Sequence, residues 1–402
     1  MRYGFAVDIG TTNIEISLWD LDSSATSVCG DPAGEALVLR TVPLKTKNVR
    51  NCLCYYGADV VSRILYAHYN GVEVLQKKLV AQLKEEFDLM IREVHGESAP
   101  EESRSEAARA VFTGNTVMLH ILSGLSVSGF EKAPFTPVSL FGGAEPAASA
   151  LASLSDEVVL PPCIGAFLGA DIVCASLTAE NAVSGGFASG GAPGAEAGSA
   201  QGVPYIVIDI GTNTEIMLVD ADGTRTACSA AAGPAFEGGG LSVEMKGSAL
   251  VAELARMLDE GIMDETGYIS ENNADERRTT LNQQDVRQLQ LAKGATAAAV
   301  ETLLQSVGLD AAGIKKCFIC GNFGNALDIY AVKKTGLLPA ALAEKAVYAG
   351  NAALRGAELI LLSKTAALRH ASEIAANTVV LQLADSPVFA EKYIQRMNFV
   401  AF

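Results

Sequence analysis

Asp8-Ile9-Gly10-Thr11-Thr12 stands near the start of the chain and returns in mid-chain as Asp209-Ile210-Gly211-Thr212-Asn213. Each copy follows an apolar run (Phe5-Ala6-Val7; Tyr205-Ile206-Val207-Ile208) and precedes an alternating one (Ile14, Ile16, Leu18; Ile216, Leu218). Each also carries a glutamate just past the turn, Glu15 and Glu215. An apolar strand, a short turn and a second strand read as a hairpin. Glycine lets backbone approach a ligand closely, and the turn offers amide N–H groups and threonine hydroxyls, which is the chemistry of a phosphate cradle. The aspartates suit a hydrated magnesium, because hard cations take carboxylate and water oxygens. One Asp-x-Gly-Thr string is ordinary turn chemistry. Its recurrence in the same strand context points to an internal duplication, and two cradles facing one another would hold a nucleoside triphosphate.

The 402 residues have room for two to three domains. With 49% hydrophobic and 19% charged residues the chain can bury a sizeable core. A formal net charge of −16, without a Lys/Arg cluster, argues against nucleic acid and anionic membrane as partners. The N-terminus enters a strand at once, with no signal-peptide pattern and no apolar run long enough to span a bilayer, so a soluble cytoplasmic protein is expected. The 8 cysteines are scattered and are expected to be reduced there.

Residues 184–202 are rich in Gly, Ala and Ser and read as a linker. They divide a first half, 1–183, from a second, 203–402, the latter closing in a C-terminal cap. In the first half the hairpin precedes a strand near Ala36–Val42, a helical stretch from Gly57 through Phe87, a strand ending in Gly114-Asn115, a helix, and Val158–Leu160 leading to another helix. The second half repeats the plan, with a strand at Arg225–Ala230, helices over 249–260 and 286–305, a strand ending in Gly321-Asn322, and a helix from Ala352. Mixed sheets flanked by helices follow, an α/β fold with a ligand at strand C-terminal ends in a cleft between the halves.

Duplicated ribonuclease-H-like halves with paired Asp-x-Gly-Thr hairpins resemble the superfamily of actin, sugar kinases and Hsp70. Further strings narrow the resemblance: Tyr56–Ile64, Thr113–His120 with Ala133-Pro134-Phe135, Ala231–Gly238, Asp285–Lys293, Gly321–Asn325 and Gly336-Leu337-Leu338-Pro339. Together they are similar to the ATP-dependent reductive activators of corrinoid proteins, over nearly the whole chain. The resemblance implies an ATP-hydrolysing enzyme that returns oxidised cob(II)amide to cob(I), with closure of a two-halved clamp on ATP aiding the reduction. It implies ATP and Mg2+ as cofactors and a corrinoid protein as partner.

Two departures bear on this expectation. Members usually carry a fused iron–sulfur domain, for which this sequence offers no ferredoxin-like set of four cysteines. No iron–sulfur cluster is therefore expected in the chain, and a separate low-potential, ferredoxin-like donor is; a homodimer is left open. Cys317 and Cys320 lie on an apolar strand and read as small hydrophobes. The family also has a longer stretch, by several tens of residues, after the string ending at Gly238. Its loss puts ATP hydrolysis in question and keeps two other readings open, a small-molecule kinase of the same fold and a non-catalytic nucleotide-binding scaffold.

Asp8 and Asp209 would position magnesium through water, with Gly10, Thr11, Thr12, Gly211, Thr212 and Asn213 on phosphate oxygens. By the resemblance, Gly321, Asn322 and Gly324 form an adenosine-binding turn, and Gly233 and Pro234 a loop closing over the nucleotide. Glu237 would orient the attacking water. Lys293 would reach the ribose or base, or else be a solvated helical lysine. Asp59 and Arg63 read as an i,i+4 pair on a helix, and the four histidines as structural or exposed.

Overall fold

The computed structural model describes residues 2–22, 28–29, 38–39, 42–95, 107–144, 150–184, 202–270, 280–321, 328–363 and 365–402. In chain order the first elements are β1 (Tyr3–Ile9), β2 (Asn13–Asp20), the short β3 (Val28–Cys29) and β4 (Val38–Leu39), β5 (Lys45–Arg50), α1 (Val60–Asn70), α2 (Val72–His95), β6 (Arg109–Gly114), α3 (Thr116–Ser123), β7 (Gly143–Ala144), β8 (Val158–Leu160) and α4 (Ala170–Val183). Then follow β9 (Tyr205–Ile210), β10 (Thr214–Val219), β11 (Arg225–Ala230), α5 (Ser248–Asp259), α6 (Gln283–Ser306), β12 (Lys316–Cys320), α7 (Ile329–Thr335), α8 (Ala340–Ala343) and β13 (Ala346–Tyr348). The chain ends with α9 (Ala352–Ser363), α10 (Thr365–Ala376), β14 (Thr378–Val380) and α11 (Pro387–Gln395). Most of the Gly/Ala/Ser-rich stretch 184–202 lies outside the described residues.

The two sheets repeat one plan. The first is ordered β5-β2-β1-β6-β8-β7 and the second β14-β11-β10-β9-β12-β13. In each, the opening hairpin is antiparallel to its third strand and parallel to the two strands that follow. Central strands β1, β6, β9 and β12 read as near-continuous apolar runs because parallel strands are buried on both faces. The fold is thus α/β with a duplicated sheet.

The third strand of the first sheet is Lys45–Arg50, not the run near Ala36–Val42, where the described part is only the two-residue β4 paired with β3. Lys45-Thr46-Lys47-Asn48-Val49-Arg50 is an edge strand alternating between half-buried and exposed positions. Lysines on an edge discourage pairing with another chain, and that same chemistry conceals the strand from a search for apolar runs. The helical stretch expected from Gly57 is two helices, broken at Gly71 with φ +85°. In α2 the residues Leu75, Leu79, Leu83, Phe87 and Met90 recur at helical spacing, and all are buried. Phe87 stacks on Phe5 of β1 with ring centroids 3.7 Å apart.

The residues divide into two compact units, Met1–Ala200 with Ala352–Asn377, and Gln201–Asn351 with Thr378–Phe402. Linear order assigns α9 and α10 to the second half, yet they belong by contact to the first unit, where α9 packs on α4, β1 and β6. The reason is an apolar helix with a small residue at the crossing. A Cβ on Gly356 of α9 would come within 2.2 Å of the Cys174 carbonyl oxygen of α4. Thr178 Oγ1 of α4 donates to the Ala352 carbonyl at 2.8 Å.

Gly356→Ala is therefore expected to force α9 off α4 and to destabilise the first unit by about 1–3 kcal/mol, the usual cost of overpacking a closed contact. Urea unfolding of wild type and variant measures this; equal midpoints would show that the helices part without penalty.

Candidate functional site

In the second unit, β9 and β10 meet at a tight turn closed by the Gly211 N–H donating to the Asn213 carbonyl at 2.9 Å. Asp209 stands opposite Glu215 in the hairpin and beside Cys320 of β12. Immediately after β12 comes Gly321, with φ +91°. A Cβ there would lie 2.5 Å from Asp209 Oδ1 and 2.8 Å from the Ile210 carbonyl. Only glycine fits against that carboxylate, in both space and backbone angle. Gly321 is fixed from the other side by its N–H to the Gly350 carbonyl (3.2 Å) and by the Tyr348 hydroxyl donating to its own carbonyl (2.9 Å). Asn322 and Gly324, expected in the same turn, lie outside the described residues.

Glu237 joins this turn. The Thr212 hydroxyl donates to Glu237 Oε2 at 2.5 Å, and the Gly233 N–H donates to the Thr212 carbonyl at 2.8 Å. Gly233 (φ +84°) and Gly238 (φ +83°) bracket a single 3-10 turn, Pro234–Glu237, opened by its proline. This loop therefore puts a carboxylate on the threonine hydroxyl of the β9–β10 turn. The segment beyond it is tied to α6, since Asp285 accepts from the Ser242 N–H (2.8 Å) and hydroxyl (2.5 Å) while closing the capping box with Asn282.

The first unit builds the equivalent turn differently. Gly10 approaches the Asn13 carbonyl so closely that a Cβ would sit 2.6 Å away. β6 ends at Gly114, which has φ +148° and no room for a Cβ, 2.7 Å from the Ile9 carbonyl. Asn115 caps α3 by accepting from the Met118 N–H at 2.9 Å, and its amide donates to Thr11 Oγ1 at 3.3 Å. Asn115 was visible in the sequence as half of a Gly-Asn strand end, and the structure brings it to the turn.

Asp171 was not singled out from sequence. It lies in the first turn of α4, where Gly169 packs within 2.5 Å (at its Cβ position) of the Gly114 carbonyl and of Asn115 Cα. Burial pushes its carboxyl up to about 6, against helix-end amides that favour the ionised form. Arg63 was also misread. Its side chain turns inward and is fully buried, donating to the Thr11 and Gly57 carbonyls. Asp59 instead caps α1 in a box with Ser62. A long cation on a helix reads as solvated until tertiary packing is known.

Lys293 is neither solvated nor turned to a ligand. Its ammonium donates to the carbonyls of Arg396 and Asn398, each at 2.6 Å, and lies 5.5 Å from the Phe399 ring centroid. It tethers the C-terminal segment to α6. Burial lowers its pKa to about 7, and the charge of Arg396 adds to the effect. Cys317 and Cys320 are buried in β12, and burial pushes the Cys317 thiol up to about 12 and the Cys320 thiol well above its ordinary value. Buried His120 shares its ring nitrogens between the Thr116 carbonyl (2.7 Å) and the Ser139 N–H (3.2 Å). His68 and His370 lie nearer the surface beside carboxylates, and the His95 side chain lies outside the described residues.

Two family models match this chain, one over the first unit beyond its β1–β2 hairpin and one from the β9–β10 hairpin onward. The family model described as the RACo middle region matches residues 38–181. The model of the C-terminal domain of RACo, the ASKHA domain, matches residues 204–248 and 244–401. The chain belongs to the RACo family. It is similar over 99% of its length to the "Corrinoid activation enzyme RamQ" of Eubacterium limosum, at 26% identity and covering 70% of that protein. It is 24% identical over 260 residues to the "[Co(II) methylated amine-specific corrinoid protein] reductase" of Methanosarcina barkeri, of which it covers 39%. Among solved structures, the "Reductive activator for corrinoid,iron-sulfur protein" superposes with a TM-score of 0.79 at 25% identity, over 100% of this chain and 66% of that one. This RACo chain thus spans only part of each of these relatives. The ASKHA match is split at 244–248, just past the Gly238 loop. Among the described residues no helix is long and apolar enough to cross a membrane.

The Lys293 tether has a pH signature. Between about pH 7 and 10.5 the unfolded chain keeps a proton that the folded chain has released, so this group adds stability as pH rises through that window. The slope is bounded at about 1.4 kcal/mol per pH unit. The stability difference between wild type and Lys293→Met, from urea unfolding at pH 7, 8 and 9, is expected to shift toward wild type with rising pH. A difference that stays flat would show that Lys293 titrates as in solution.

Proposed function

We propose that this chain is an ATP-dependent reductive activator of a corrinoid protein. The observation that carries the reading is the pairing of Asp209 with Gly321, in a chain that both RACo models match: a carboxylate at a strand end, packed against a glycine that leaves no room for a Cβ. Backbone amides, threonine hydroxyls and a carboxylate at a strand end fit a magnesium-bound triphosphate. Magnesium-ATP would supply the binding and hydrolysis energy that makes an uphill reduction favourable.

The chain's own groups divide the work. Thr11, Thr12, Thr212, Asn213 and the amides of the two turns take phosphate oxygens. Asp8 and Asp209 hold the cation through water. Glu237, fixed by the Thr212 hydroxyl, stands where a base would orient water. Gly233 and Pro234 shape the backbone over that turn. Lys293 is given no nucleotide role, because its ammonium is committed to the Arg396 and Asn398 carbonyls.

The substrate is the cob(II) centre of a corrinoid protein, and the step adds one electron to give cob(I). The electron comes from a separate donor of low potential and ferredoxin-like chemistry. Cys317 and Cys320, the only Cys-x-x-Cys pair in the sequence, support this assignment, since both are buried in β12 and a cluster takes four such ligands. ATP can assist only by favouring one conformation of the activator–corrinoid complex over another. The acidic chain, with 7 free cysteines among the described residues, is assigned to the cytoplasm.

With a cob(II) corrinoid protein, a low-potential reductant and magnesium-ATP, the cob(I) absorption band is expected to form, and to form at most slowly without ATP. Asp209→Asn is expected to lower the ATP-dependent rate by about 10- to 100-fold, the usual cost of losing a group that positions a metal's own ligands. A band that never forms with ATP and a competent donor would refute the assignment. Phosphorylated small molecule formed without a protein partner would replace it with the kinase reading.

A further inference from the structure

The string Tyr56–Ile64 is given no task by the function proposed above. Its Arg63 is fully buried, yet the partners of its guanidinium are neutral: the carbonyls of Thr11 and Gly57 and the sulfurs of Met118 and Cys54. A buried guanidinium whose hydrogen-bond partners are all neutral is costly to keep, even with the charge of Asp59 acting on it. The location of that charge gives it a use.

Consider the three carbonyls of the first phosphate turn. That of Gly10 accepts from Asn51 Nδ2 at 2.8 Å. That of Thr11 accepts from Arg63 Nη2. That of Thr12 accepts from the Asn51 N–H at 2.9 Å, with the Cys54 thiol 3.5 Å away. All three are drawn toward one segment, residues 51–63. A planar trans peptide points its N–H opposite to its C=O. Holding these carbonyls on one side therefore turns the N–H groups of Thr11, Thr12 and Asn13 to the other. A run of like-oriented amides is an anion-binding concavity, and the guanidinium behind it adds positive potential. Asn51 is itself held rigid, since its Oδ1 accepts from the Leu53 N–H at 3.0 Å.

The geometry points to Arg63 and Asn51 as positioning residues of the first phosphate turn: they fix its carbonyls so that its amides face the phosphate groups of the nucleotide. This rests on the nucleotide reading above and deepens it. Neither residue need touch ligand. Both act through the Gly10–Thr12 backbone, so their removal affects phosphate recognition and leaves recognition of the nucleoside unchanged.

The test compares magnesium-ATP with adenosine by titration calorimetry on the full chain. Wild type is expected to bind ATP more tightly than adenosine. Arg63→Met is expected to weaken ATP by about 10- to 100-fold, as for loss of one charge-assisted hydrogen bond, with adenosine unchanged within about twofold. Arg63→Lys, which keeps the charge and one donor, is expected to recover part of the loss. Should Arg63→Met fail to fold, Asn51→Ala gives the same ATP-selective pattern at about two- to tenfold, the worth of a neutral hydrogen bond. Equal weakening of both ligands, or none, overturns the positioning role and leaves the nucleotide reading standing. Wild type that prefers adenosine, or does not discriminate, removes the phosphate reading and this inference with it.

Discussion

At the end of each central parallel strand pair a glycine lies against the hairpin strand with no room for a side chain. Gly321 would put a Cβ 2.5 Å from the Asp209 carboxylate, and Gly114 would put one 2.7 Å from the Ile9 carbonyl. The rest of the architecture depends on these two contacts. They let β6 and β12 run parallel to the hairpin strands right up to the phosphate turns. They also put no side chain of Gly114 or Gly321 between the strand end and the hairpin turn beside it. In both sheets the parallel strand beside the aspartate strand ends at a glycine.

The features legible in sequence were local ones. The Asp-x-Gly-Thr turns, their flanking apolar strands and the strand ends at Gly114-Asn115 and Gly321 are set by residues within a few positions of one another, and the structure has them as expected. Nonlocal features escaped. Lys45–Arg50 pairs with β2, but its charges belong to an edge and imitate a loop. Helix α9 follows the second copy of the repeat and packs on the first sheet; its apolar residues announce burial without naming the surface that buries them. Arg63 and Lys293 are long cations on helices, exposed by default, and both prove to be buried against backbone carbonyls. Sequence pattern reports how apolar a helix face is, whereas carbonyl acceptors exist at every residue and leave no trace in composition.

The two copies have also diverged in how the chain returns to the turn. In both, the residues after the third strand come back to it by a backbone hydrogen bond: the Asn51 N–H to the Thr12 carbonyl, and the Gly233 N–H to the Thr212 carbonyl. What each return carries has opposite sign. The first brings Asn51 and the buried guanidinium of Arg63, the second the carboxylate of Glu237.

That divergence gives the duplicated turns different chemistry. A cation behind backbone amides stabilises a static anion, and it does so without contact because the interaction is long-ranged in a poorly hydrated interior. A carboxylate on the threonine of the other turn works against anion binding on its own, since it brings negative charge beside the amides. It becomes favourable only if a cation or a water molecule is held there to accept it. The two turns thus differ in the sign of the side chain that backs them. Duplication accounts for the like backbone of the two turns, and the segments after the third strands account for what differs between them.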